Sequence, residues 1–239
     1  MGESRLIIAI PAFNESDTVA DVVAEVRSAV PHATVLVVDD GSTDDTGHRA
    51  AAAGAQVLTL PFNCGVGGAM GAAFKYAVQS GSDALVQVDA DGQHDASHIP
   101  ELLAGLESAD VVVGARFAGV GDYHVRGPRR WSMVLLSRTV SAVVGARLTD
   151  TTSGFRASGP KAIALYAGNY PAQYLGDTVE SLVLASRAGL KIAQVPVVMR
   201  ERQGGQASHG FSRSALHVGR AYLALFAAVT RPTPKVGGA

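Results

Sequence analysis

Asp89, Asp91 and Asp95 crowd into the stretch LVQVDADGQHD (85 to 95), directly behind the apolar residues Leu85, Val86 and Val88. Carboxylates that repel one another at the end of a buried strand need compensation. A hard divalent cation is the first candidate, because such ions take one or two carboxylates together with substrate phosphates and keep several waters. Asp89 and Asp91 are two residues apart, which at a strand terminus puts them on the same side. They are the candidate ligands, and Gln93 or His94 could add a ligand or a water contact. An acidic Asx-turn closing a βα unit would use the same residues. The complete DADGQH behind an apolar strand favours the metal.

Other polar stretches carry related chemistry. In VVDDGSTDDT (37 to 46), Asp39 or Asp40 can accept hydrogen bonds from a nucleobase N–H or a ribose hydroxyl. Ser42, Thr43 and Asp44 are good helix caps. In PAFNE (11 to 15), Phe13 can pack on a base and Glu15 can reach a ribose, with Asn14 as a turn residue. NCGVGGAMGAAFKYA (63 to 77) fails the G-x-G-x-x-G dinucleotide pattern: Met70 stands where the third glycine belongs, and the stretch follows the third strand rather than the first. Its glycines read as close backbone approach at a helix start. Arg116, Arg126, Arg129 and Arg130 surround a glycine-rich loop, and arginine forks suit phosphate oxygens. Arg116, at a strand end, is the strongest of them. DTTSGFR (150 to 156) and RERQGGQASHG (200 to 210) read as loops, the second able to fold over a ligand with Arg200 and Arg202.

These groups need elements to hold them. Strands read at 5–11, 34–40, 55–61, 84–88, 110–115 and 191–199. Helices read at 17–30 (capped by Ser16 or Asp17), 67–79, 100–107, about 128–145, 159–167 and 178–188, with a last amphipathic helix at about 212–229 and a flexible tail at 231–239. Continuous Val/Ile/Leu runs suit strands covered on both faces, so the expectation is an α/β fold with a mostly parallel sheet. Four strands end in polar, conformationally special residues, which places one site along one edge of that sheet.

The 239 residues, 47% of them hydrophobic, suffice for one α/β domain. Lys+Arg 20 against Asp+Glu 21 gives no basic excess and argues against nucleic acid. The single cysteine, Cys64, excludes an internal disulfide and fits a reducing cytoplasm. Neither a signal peptide nor a membrane span is read. The last helix sets Val218, Tyr222, Leu225, Phe226 and Val229 opposite Arg213, His217 and Arg220, so it could rest on an anionic membrane or simply dock on the protein.

PAFNE, VVDDGSTDDT, NCGVGGA, QVDADGQHD, VVGARF, DTTSGFR and RERQGGQAS occur in an order that resembles family 2 glycosyltransferases, over about residues 5 to 210. The nearest resemblance is to dolichol-phosphate mannosyltransferase and the bacterial polyprenyl-phosphate glycosyltransferases. It implies one GT-A domain over 1–230, a nucleotide-sugar-binding α/β sandwich with an Mg²⁺ or Mn²⁺ site. It implies inverting transfer of a hexose from a GDP-, UDP- or dTDP-sugar to a polyprenyl phosphate, with peripheral membrane contact at the cytoplasmic face. Carried over, Pro11, Phe13, Glu15, Val38 and Asp40 hold the nucleoside, with Asp39 beside them. Asp89, Ala90 and Asp91 contact the nucleotide, and Asp89, Asp91 and Gln93 reach the metal. Arg116 and Arg202 bind donor phosphate, with Ser208 beside Arg202, and Arg116, Arg129 and Arg130 meet the acceptor phosphate. A hydroxyl acceptor would need a base, for which Asp177 and Glu180 are candidates; an acceptor phosphate needs none. The chain has Ala207-Ser208 where two serines are usual, and the transmembrane tail of some members has no counterpart. A soluble or saccharide acceptor, or donor binding without turnover, are the alternative readings.

Overall fold

The computed structural model describes residues 5–116, 128–171 and 177–200, the backbone alone for 128–134 and 177. Strands β1 (Leu6–Ala12), β2 (Thr34–Asp39), β3 (Gln56–Thr59), β4 (Ala84–Gln87), β5 (Val111–Ala115), β6 (Arg156–Ser158) and β7 (Ile192–Pro196) form one sheet in the order β3-β2-β1-β4-β6-β5-β7. β6 runs antiparallel to both its neighbours, β4 and β5; the other pairings are parallel.

The helices are α1 (Val19–Ala29), α2 (Thr46–Ala52), α3 (Gly65–Gln79), α4 (Ile99–Gly105), α5 (Pro128–Val144), α6 (Pro160–Asn169) and α7 (Asp177–Arg187). They cover both faces of the sheet, and β1 shows why its apolar run is unbroken. Ile7 and Ala9 enter the core beneath α3, α6 and α7, while Ile8 and Ile10 enter the core beneath α1 and α4. Alternate side chains point to opposite faces, and here both faces are dry. α1 buries Val19, Val22, Val23 and Val26, the spacing that one face of a helix requires.

Three expectations are corrected. α1 begins after Thr18, not Ser16 or Asp17, and Thr18 Oγ1 turns back to the Glu15 carboxylate (3.2 Å) rather than capping the helix. α2 was not read, because TGHRAAA is short and buries only Thr46 and Ala50. DTTSGFR ends in strand β6, whose Arg156 is buried by bonds to the carbonyls of Ser153 (2.7 Å), Thr178 (2.8 Å) and Thr151 (3.0 Å). Among the described residues no helix is long and apolar enough to cross a membrane. The helix expected at 212–229, the tail at 231–239 and the loop from 201 to 210 lie outside the described residues.

Candidate active site

The carboxyl ends of β1, β2 and β4 open onto a cavity of about 460 Å³. Pro11, Phe13 and Glu15 line it from the loop after β1, Asp40 from the end of β2, and Gly65 and Val66 from the start of α3. Gln87, Asp89, Ala90 and Asp91 line it from β4 and its turn, Thr152 and Gly154 from the approach to β6, and Thr178 from α7.

The acidic turn is held on all sides. The Asp91 carboxylate accepts the Gln93 N–H (3.1 Å), so the turn-forming reading of this residue holds beside its place on the cavity wall. Gly92 takes φ 75°, the left-handed conformation that glycine adopts without a Cβ clash. Asp89 receives a bond from Gln87 Nε2 (3.2 Å), and its backbone N–H donates to His94 Nδ1 (2.9 Å). That bond places the imidazole proton on Nε2, 3.5 Å from Asp89 Oδ2. His94 itself is buried and stacks on Phe155 at 4.8 Å. A Cβ on Gly154 would sit 3.0 Å from both Asp89 carboxylate oxygens and from Gln87 Nε2, so only glycine leaves this corner its present shape.

Downstream, the turn is zipped to the end of β7. The Arg200 N–H donates to the Gln93 carbonyl (2.9 Å), and the Val198 N–H donates to His98 Nε2 (3.2 Å). The Arg200 guanidinium bridges Glu25 (2.7 Å) and Asp95 (2.9 Å). Arg200, read as part of a lid, is held in place by these bonds to Gln93, Glu25 and Asp95.

On the opposite wall, Asp40 Oδ1 accepts the Cys64 N–H (2.7 Å) and so ties β2 to the start of α3. Burial raises its pKa above the usual carboxylate range, against the lowering effect of the Cys64 and Gly65 N–H groups, and the neighbouring Asp39 charge adds to the rise. Asp39 turns the other way: its carboxylate accepts the Ser42 N–H (3.0 Å). Val38 is fully buried in the core. Neither Asp39 nor Val38 lines the cavity, and neither does Gln93. Ser42 and Thr43 are structural, each bonded to Asn14, through Ser42 Oγ (3.0 Å) and the Thr43 N–H (2.9 Å).

Arg116 forms a fork on Asp150, with Nε to Oδ2 at 2.6 Å and Nη2 to Oδ1 at 3.0 Å, and Nη2 also reaches Thr152 Oγ1 (3.0 Å) on the cavity rim. Burial alone would raise the Asp150 pKa. The hydrogen bonds and charge of Arg116, with help from Thr152, outweigh burial and hold it below the usual range. Glu180 is buried in α7 and is not on the cavity wall, where α7 presents Thr178. Arg129 and Arg130 lie in the first turn of α5 and Asp177 begins α7, with their side chains outside the described residues, as are Arg202 and Ser208 entirely.

The sequence reading missed Gln87, Thr152, Gly154 and Thr178. Gln87 left a signal, a lone amide inside a buried strand; Thr152 and Gly154 lie within DTTSGFR, read only as a loop, and Thr178 sits in no distinctive pattern. For a divalent cation, the chemistry of the donor set fits. Asp89 and Asp91 offer hard carboxylate oxygens on one wall, a partial set of the kind that substrate phosphates complete. Among the described residues no group of three or more His, Cys, Asp or Glu forms a cage that would hold a metal by itself.

Residues 7–161 match the model of glycosyl transferase family 2. The chain is 33% identical over 210 residues to an undecaprenyl-phosphate mannosyltransferase of Micrococcus luteus, covering 84% of this chain and 86% of that one. It is 28% identical over 218 residues to a polyprenol monophosphomannose synthase of Mycolicibacterium smegmatis, covering 84% and 79%. Among solved structures, glucosyl-3-phosphoglycerate synthase from Mycobacterium tuberculosis, in complex with Mn²⁺, UDP and glucosyl-3-phosphoglycerate, superposes with a TM-score of 0.70 at 20% identity. That likeness covers 96% of this chain and 81% of the other, and it bears on the fold.

Proposed function

The chain belongs to glycosyl transferase family 2 and is a glycosyltransferase of GT-A fold, and from that premise we propose that it transfers a hexosyl group, with inversion, from a nucleoside-diphosphate sugar to a polyprenyl phosphate, using Mg²⁺ or Mn²⁺. The observation that carries this reading is the two-sided cavity. One wall offers an aromatic and two carboxylates, Phe13, Glu15 and Asp40; the other offers Asp89 and Asp91. The first wall suits a nucleoside and the second a metal-bound diphosphate. The polyprenyl phosphate acceptor is taken from the names of the two relatives.

In this reading Asp40 accepts from the base, Glu15 from the ribose, and the exposed face of Phe13 packs against the nucleoside. Asp89 and Asp91 would hold the cation, and the chemistry it supplies when bound is Lewis-acid neutralisation of the departing diphosphate. Gln87, His94 and Gly154 fix the Asp89 carboxylate before substrate arrives, so little reorganisation remains at the moment of transfer. Arg116 is not itself on the cavity wall; held by Asp150 beside Thr152 on the rim, it would lend its charge to incoming phosphate. Arg129, Arg130, Arg202 and Ser208 complete the phosphate contacts. The acceptor phosphate brings its own negative oxygen, which attacks the anomeric carbon from the face opposite the leaving group. No proton has to be abstracted, so Glu180 and Asp177 need not act as bases.

Thermal shifts with UDP-, GDP- and dTDP-sugars, with and without Mn²⁺, identify the donor, since a ligand bound only by the folded state raises Tm. Incubation of the stabilising radiolabelled donor with a polyprenyl phosphate then yields label extractable into organic solvent. Asp91→Asn lowers that rate by about 10²- to 10³-fold at unchanged Tm. Wild-type turnover by this variant without metal, or label retained only in water-soluble product, overturns the reading.

A further inference from the structure

Two carboxylates, Glu25 of α1 and Asp95 at the end of the acidic turn, meet at the guanidinium of Arg200. Nη1 donates to Glu25 Oε2 (2.7 Å), and Nη2 lies 2.9 Å from Asp95 Oδ2. The second oxygen of each carboxylate holds the turn itself. Glu25 Oε1 accepts the Ala96 N–H (2.9 Å), and Asp95 Oδ1 accepts the Ser97 N–H (3.0 Å) and hydroxyl (2.6 Å). Arg200 also acts through its backbone, which donates to the Gln93 carbonyl beside the antiparallel bridge between His94 and Met199. The stretch from Gln93 to Ser97 is thus gripped from two sides, by α1 and by the chain leaving β7.

What this grip controls follows from the next bonds inward. Gln93, whose carbonyl Arg200 holds, is the residue whose N–H orients the Asp91 carboxylate (3.1 Å). His94, the residue after it, receives the backbone N–H of Asp89 on its ring (2.9 Å). On the other side, α1 continues from the loop that supplies Phe13 and Glu15 to the opposite wall of the cavity. The three charges therefore join the element behind one wall to the turn that forms the other. Without the arginine, Glu25 and Asp95 would repel each other and push the turn away from α1. Arg200 is 36% exposed and Glu25 34%. Ion pairs so open to water add little to global stability, so the placing of the turn is where their effect falls.

We propose that Arg200 is a positioning residue of the reaction: clamped between Glu25 and Asp95, it fixes the acidic turn at the spacing from the nucleoside wall that lets one diphosphate and its cation be held together. Arg200 does not line the cavity and works through Gln93 and Asp95. The proposal rests on the reading that Asp89 and Asp91 hold the cation, and the experiment separates the two.

Mn²⁺ binding to the full-length protein is measured by isothermal titration with UDP, GDP or dTDP present, whichever raises Tm, and without sugar or acceptor. Arg200→Met is expected to weaken Mn²⁺ by about tenfold or more, the loss found for groups that orient a metal's ligands. Arg200→Lys, which keeps the charge without the fork, recovers part of that loss. Glu25→Gln keeps an acceptor for the Ala96 N–H and removes the charge facing Arg200; it weakens Mn²⁺ by a smaller factor and decides the matter if Arg200→Met does not fold. The matching nucleoside binds all three variants as it binds wild type, because Phe13, Glu15 and Asp40 are untouched. In transfer assays Arg200→Met raises the Mn²⁺ concentration for half-maximal rate, and excess Mn²⁺ restores most of kcat. If Arg200→Met and Glu25→Gln bind Mn²⁺ as tightly as wild type while Asp91→Asn loses it, the clamp is overturned and the metal reading stands. If wild type and Asp91→Asn bind Mn²⁺ alike, the metal reading falls and the clamp's role falls with it. Nucleoside and Mn²⁺ weakened together, with Arg200→Lys no better than Arg200→Met, would make Arg200 a support of the fold alone and overturn the proposal as well.

Discussion

Asp89 is held by neighbours that do not themselves carry charge, and this is where a small substitution is most informative. Gly154 approaches both its carboxylate oxygens and the Gln87 amide so closely that one added methyl must push them by a few tenths of an ångström. Because the contacts are the far ends of side chains, the fold absorbs the change and the geometry does not. Gly154→Ala is expected to lower kcat/KM by about 10- to 100-fold, since small misplacements at a reacting centre cost that much, while the melting curve barely moves. An unchanged kcat/KM would mean that the Asp89 position is not critical. Asp89, Asp91, Asp40 and Glu15 were legible as cavity-wall residues because carboxylates conflict with an apolar strand end, and Phe13 because it stands among polar residues in the loop that follows one. Gly154, Thr152 and Thr178 were not: a glycine or threonine has many uses, and only the antiparallel return into β6 brings Thr152 and Gly154 to the wall, as α7 brings Thr178. Asp39 shows the converse: adjacent carboxylates at 39 and 40 look equivalent, but strand alternation sends one to the cavity and the other to its own turn.

The approach to β6 is the element that joins the two sides of the site, and its anchor is the Arg116–Asp150 pair. The Asp150 side chain is fully buried and that of Arg116 is 20% exposed, so removing the arginine leaves a buried, uncompensated carboxylate. Arg116→Met is expected to destabilise the protein by about 3–5 kcal/mol at neutral pH. The sign of the pH dependence follows from the lowered folded-state pKa of Asp150. The pair's contribution is complete above the unfolded value near 3.8 and disappears as pH falls through the lower folded value. The gap between wild-type and variant Tm should therefore be widest at neutral pH and close in acid, and a gap that persists unchanged below pH ~3 would show that the charge is not its source. Such an element was poorly legible. The strands β1, β2, β4 and β5 declared themselves through unbroken Val/Ile/Leu runs. β6 is three residues long and includes a buried arginine, so neither length nor hydrophobicity marks it. α2 escaped for a related reason: alanines and a histidine give no apolar stripe.

At the scale of the molecule, the sheet order places β1 between β2 and β4, so the ends of β1 and β2, which could hold a nucleoside, lie beside the turn after β4, which could hold a diphosphate. A ligand that spans the cavity must satisfy both walls, and a cation on Asp89 and Asp91 must share its coordination with the ligand's phosphates. Binding of the two is then a single coupled equilibrium, and the coupling is reciprocal. Isothermal titration should find that Mn²⁺ tightens the nucleoside diphosphate by about 5- to 150-fold, and that the diphosphate tightens Mn²⁺ by the same factor. The matching nucleoside, which lacks phosphates, should bind with an affinity indifferent to the metal. Asp91→Asn should remove the coupling while leaving nucleoside binding intact, because Asp40, Glu15 and Phe13 lie on the other wall. Equal metal dependence for nucleoside and diphosphate would place the cation elsewhere, and coupling that survives in Asp91→Asn would detach it from the acidic turn.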